Sequence, residues 1–126
     1  MDEPEQPIEP IEHIKSAQEH AKAAIRQSKS IKDQGTKVSN FSDTAEASGK
    51  LIEEYAEVAE QHAHLSLEHA NKATEPDAEP RKQIIEATDE HIKGAQAQVK
   101  AAAEYSNIIR EQLSQARKPA RRTEGS

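Results

Sequence analysis

The chain has 126 residues, enough for one domain, with a net charge of −6, 32% charged residues and no cysteine. This excludes disulfides, thiolate metal sites and a cysteine nucleophile, and the acidic balance argues against nonspecific nucleic-acid binding by the body of the protein. Large side chains are scarce, with no Trp, one Phe and two Tyr. An Ala-rich, charge-rich mix of this kind is typical of long or coiled helices.

Residues 1–10, with three prolines and four acids, read as an extended acidic arm. The arm has no basic stretch followed by an apolar one, so it does not read as an export signal. The first helix is expected from about Ile11 to Gln34, with Pro10 suited to its first turn and Gly35 to its C-cap. With Ile14 at heptad a, its seam is Ile14, Ala17, Ala21, Ala24, Ser28 and Ile31. Thr36 to Ser42 forms the first connection. Asp43, with Glu46 three residues on, makes a capping box for a second helix over about 43–74. That helix places Ala56, Ala63 and Ala70 at a, and Ile52, Ala59, Ser66 and Ala73 at d.

Pro76, Asp77 and Pro80 mark the second turn, and a third helix is expected over about 78–117, ended by Pro119. Its seam is Ile85, Thr88, Ile92, Ala95, Val99, Ala102, Ser106, Ile109, Leu113 and Ala116, in unbroken heptad spacing. Arg117, Lys118, Arg121 and Arg122 make the end of the chain, through 119–126, a basic solvated tail. There is no strand pattern and no apolar run long enough to enter a membrane. The expected fold is all-α: an up-down-up antiparallel three-helix bundle of long Ala-rich helices over residues 11–118.

Residues 12–34 and 90–112 are two copies of one segment, with 12 identities in 23 positions at an offset of 78. Glu12-His13-Ile14-Lys15 falls on Glu90-His91-Ile92-Lys93. A weaker third copy, at an offset of 49, matches His62, Glu68-His69-Ala70 and Ala73 to His13, Glu19-His20-Ala21 and Ala24. A second loop centred near residue 77 brings His62 level with Ile92 and next to His91. Parallel packing of the two copies, with a first loop near 38–39, brings His13 level with His91. The expectation is one layer of His13, His62 and His91, all at heptad g, able to hold Cu²⁺, Ni²⁺ or Zn²⁺ with help from neighbouring carboxylates. His20 and His69 repeat the g position one heptad away, about 10 Å along the axis, as secondary ligands. His64 falls on the outer face. The plain alternative is that a g-position histidine is only a solvent-edge partner of glutamate.

Other chemistry is not indicated. Gly35, Gly49 and Gly94 are isolated, no serine sits in a nucleophile elbow, and no Glu-x-x-His pair suggests a di-iron centre. The chain is expected not to be an enzyme.

In the units Glu12-His13-Ile14-Lys15, Glu19-His20-Ala21-Lys22-Ala23-Ala24 and Glu68-His69-Ala70, the chain resembles the bacterial small metal-binding protein family. The resemblance covers about residues 11–112. It implies a helical bundle of His-containing heptads that binds divalent metals, copper favoured, in the periplasm. The chain departs from that family in having fewer histidines, with Gln98 where His20 would recur, three helices rather than four, and no visible export signal. The location is left open: periplasmic if the resemblance holds, cytoplasmic otherwise.

Two functions are therefore expected to compete. One is noncatalytic metal binding or buffering through His13, His62, His91, His20 and His69. The other is a structural module whose Ala-rich seam docks a helical protein partner or a second copy as a homo-oligomer, without metal.

Overall fold

A computed structural model of the chain describes residues 10–116. Residues 1–9 of the acidic arm and the tail at 119–126 lie outside the described residues. Three antiparallel helices follow one another, α1 (Pro10–Ser39), α2 (Asp43–Lys72) and α3 (Pro80–Ala116), and there is no strand among the described residues. The expected all-α, up-down-up three-helix bundle is what the chain forms. No described helix is long and apolar enough to cross a membrane.

The seam is built from small residues. Of the 15 buried hydrophobic side chains, all but Ile14, Ile25, Ile52 and Ile108 are alanine. Alanine removes little apolar area, at about 25 cal/mol per Å², so its contribution depends on helices approaching closely enough for backbone atoms to touch. The α1 and α2 seams lie where heptad spacing places them: Ile14, Ala21, Ala24 and Ser28 on α1, and Ile52, Ala56, Ala59, Ala63, Ser66, Ala70 and Ala73 on α2.

Two helix boundaries differ from expectation. Gly35 does not cap α1. The helix runs through it to Ser39, and no glycine has positive φ. Gly35 is instead a contact point between helices: a Cβ there would lie 2.8 Å from Gly49 O and 2.9 Å from Glu53 N. A Cβ on Gly49 would lie 2.6 Å from Gly35 O and would also run into the Ser39 backbone. The second difference is at α2, where the N-cap is Ser42 rather than Asp43. Ser42 Oγ accepts from Ala45 N at 3.2 Å, leaving Asp43 to the first turn, where its charge suits the helix dipole.

Extending α1 moves the first turn to Asn40–Ser42 and resets the register between helices. Gln18 donates to Asn71 Oδ1 (2.8 Å), Lys32 to Glu57 Oε2 (3.2 Å) and Thr36 to Glu53 Oε2 (2.8 Å) across the antiparallel α1–α2 pair. The bond that Lys32 donates to Glu57, and that carboxylate's charge, hold the ammonium's pKa above its ordinary value. Between the parallel helices α1 and α3, Gln98 reaches Ser28 and Ala24, separations of 70 and 74 residues. These are eight and four residues short of the repeat offset of 78, a shift of roughly one helical turn to one heptad.

The third correction concerns α3. Its buried residues are Ala87, Gly94, Ala97, Ala101 and Ile108. The expected seam of Ile85, Ile92, Val99, Ile109 and Leu113 is exposed instead. The face with small residues, including Gly94 against Ala59 O (3.2 Å from a built Cβ), fits α2 closely. The isoleucine face would hold the axes further apart.

The Gly35–Gly49 contact has a testable sign. In an exposed helix interior, Gly→Ala stabilises by about 0.5–1 kcal/mol. Gly49→Ala is expected to destabilise by about 1–3 kcal/mol because backbone, not a flexible side chain, occupies the space. Urea denaturation followed by circular dichroism reads the difference, and a stabilised variant would show that the helices are not in contact there.

Candidate metal centre

The one-heptad shift between α1 and α3 decides which histidines meet. His13 lies in the first turn of α1, exposed, and is not level with His91. His20 takes that place: its ring centroid is 6.0 Å from that of His91, with the planes inclined at 54°. His62 turns toward α3 and pairs with Glu90. The expected layer of His13, His62 and His91 is thus not assembled, and among the described residues no group of three or more His, Asp or Glu side chains is placed to hold a metal. The physical reason is the continuous helix through Gly35, which displaces α1 along its partners.

His20 and His91 face each other across a cleft of about 250 Å³ between α1 and α3, lined by Ala17, His20, Ser66, Ala87, Thr88 and His91. His91 Nδ1 is buried and has no hydrogen-bond partner. Buried polar atoms almost always find one, so this nitrogen marks a place for a water, a donor or a cation. Two metal–nitrogen bonds of about 2.0 Å, together with the two ring half-widths, span roughly 5–6 Å between centroids, close to the spacing seen here. His20 is exposed and His91 half-buried, so the cleft is reachable from solvent.

The α2 histidines are held differently. His62 Nδ1 lies 2.6 Å from Glu90 Oε1 in a partly buried position. Because an ionised carboxylate only accepts, Nδ1 carries the proton and donates it, leaving Nε2 with the lone pair when the ring is neutral. His69 repeats the arrangement one heptad on, with Nδ1 2.9 Å from Gln83 Oε1 and 3.2 Å from Glu86 Oε1. Metal-ligating histidines are commonly oriented by just such a carboxylate behind the ring. Here, however, the two rings sit about 10 Å apart along the axis. His64, as expected, is exposed on the outer face, 3.5 Å from Glu60 one turn earlier.

Two contacts escaped the sequence reading. Ser66, buried, donates to Ala87 O at 2.8 Å and pins α3 against α2 directly beneath the histidine pair. Gln98 donates to Ser28 Oγ at 3.1 Å, tying α3 to the fully buried serine of α1 one heptad above it. Ser28 and Ser66 are the buried polar residues of the seam. A serine at a or d among alanines was the available signal.

Comparison of the chain with protein-family models, curated sequences and solved structures returns no match.

The two histidine environments differ in what substitution should cost. His62→Ala removes a partly buried bond to Glu90 and is expected to lower stability by about 1 kcal/mol. His64→Ala, losing an exposed pair on one helix, should change it by a few tenths at most. Chemical denaturation of the metal-free protein tests this, and equal effects would mean that the His62–Glu90 pair does not form.

Proposed function

We propose that the protein is a noncatalytic binder of divalent metal, with His20 and His91 as the donors of a single site between α1 and α3. The observation that carries this reading is the juxtaposition of the two imidazoles across a cleft, with the buried His91 Nδ1 left without a partner. The resemblance of the Glu-His heptads to small metal-binding proteins points the same way. Two imidazole donors suit Cu²⁺ best, followed by Ni²⁺ and Zn²⁺, with water completing the coordination. A site with two protein ligands and open positions releases metal easily and so serves buffering rather than permanent structure. His62 and His69, each oriented from behind, are secondary ligands that add binding at higher metal loading. His13, exposed and apart from the pair, contributes least.

Metal coordination needs neutral imidazole and stabilises the folded chain, since the pair exists only when α1 and α3 are in register. Titration of untagged, chelator-stripped protein with Cu²⁺, Ni²⁺ and Zn²⁺ by calorimetry should show one saturable equivalent. Binding should weaken as pH falls through the range in which imidazole takes up a proton. The equivalent should be lost in His20→Ala and in His91→Ala and kept in His64→Ala. Absence of saturable binding, or its survival in His91→Ala, would overturn the reading.

A further inference from the structure

The exposed face of α3 repeats, at all but one of its positions within the repeat (Val99 for Ala21), a face that α1 buries at Ile14, Ala21, Ala24 and Ser28 and half-buries at Ala17 and Ile31. In the internal repeat, Ile92, Ala95, Ala102, Ser106 and Ile109 correspond to Ile14, Ala17, Ala24, Ser28 and Ile31. On α1 this stripe faces into the bundle, with Ser28 bonded to Gln98 of α3. On α3 the equivalent positions face solvent, Ile92 at 49% and Ile109 at 41% exposed, and Ile85 (56%), Val99 (67%) and Leu113 (54%) extend the stripe. A strict a/d seam of ten positions is shaped for another helix rather than for a flat surface or a small ligand. It spans Ile85 to Ala116, about 46 Å of helix.

We propose that α3 docks antiparallel on α3 of a second copy through this stripe. Antiparallel seams place a against d of the partner. The register that uses all ten positions sets Ile92 against Ile109, Val99 against Ala102 and Leu113 against Thr88, in both directions by the two-fold axis. The same register brings Asp89, at e, beside Arg110, at e of the other copy, so two opposite-charge pairs flank the seam. The next position in that series after Arg110 is residue 117, outside the described residues.

The two ends of the stripe differ. At the C-terminal end of α3, Ile109 and Leu113 join Val38 and Phe41 around an apolar cleft of about 550 Å³. At the other end, Ile85 and Ile92 stand exposed. The two-fold seats each copy's Ile85–Ile92 end at the other's cleft. A strip about 46 Å long and about 10 Å wide gives roughly 460 Å² per copy. The cleft adds to it, bringing the total near the ~1,000 Å² at which a specific interface becomes stable. A reversible dimer follows rather than an obligate one.

Sedimentation equilibrium in chelator, from low to high micromolar protein, separates this from any metal-driven association. The wild type should pass from monomer to dimer. Val99→Glu should remain monomeric throughout, with a nearly unchanged melting curve at low concentration because Val99 is 67% exposed in the monomer. Asp89→Arg should weaken dimerisation several-fold, and Asp89→Arg combined with Arg110→Asp should restore it. A wild type that stays monomeric, or a Val99→Glu protein that dimerises like the wild type, overturns the proposal. A double variant no better than Asp89→Arg overturns the antiparallel register.

Discussion

Close approach of α1 and α2 at Gly35 and Gly49 is the constraint on which the rest of the structure depends. With no side chain at either position, Gly49 sits against the Gly35 carbonyl and the Ser39 backbone, and the two helices pack backbone to backbone. That contact requires α1 to continue past Gly35, which places the turn at Asn40–Ser42 and fixes how far α1 is displaced along α2. Everything built on relative height inherits this displacement, including which serine, glutamine and histidine come level across the bundle.

The identity of the histidine pair shows how sensitive that inheritance is. Sequence similarity between residues 12–34 and 90–112 aligns His13 with His91, but packing aligns His20 with His91. Similarity records a repeated segment, whereas register is set by loop length and by where small residues permit contact. Because histidines recur at heptad g, a slip of one heptad replaces one imidazole with another instead of destroying the pair. Heptad repetition thus preserves the kind of residue at the site while changing its number.

Helix count, direction and the α1 and α2 seams were legible in the sequence because alanine and isoleucine there follow a single 3-4 spacing with one buried face. Gly35 was misread for a general reason: a glycine near a helix end serves equally as a C-cap or as a contact point, and only the partner helix distinguishes the two. Asp43 was misread as the cap because Ser42 and Asp43 are adjacent residues of equal capping competence. The α2–α3 register was readable, since His62 does lie beside the turn holding Glu90 and His91. The α1–α3 register was not, because it compounds both loops.

The α3 face illustrates a deeper ambiguity. Heptad spacing identifies a stripe fit for burial, but a helix with two such stripes does not say which one its own chain will cover. On α3 the choice falls to the stripe of Ala87, Gly94, Ala97 and Ala101, because α2 presents a row of alanines that only small residues match at short distance. Placing Ile92 and Val99 against that row would separate the axes and forfeit contacts along the whole helix, including the Ser66 bond to the Ala87 carbonyl. The larger residues are therefore left outside by the geometry of the small ones. Their spacing remains that of a helix seam, and an uncovered seam equivalent to one buried on α1 is a surface suited to a second helix.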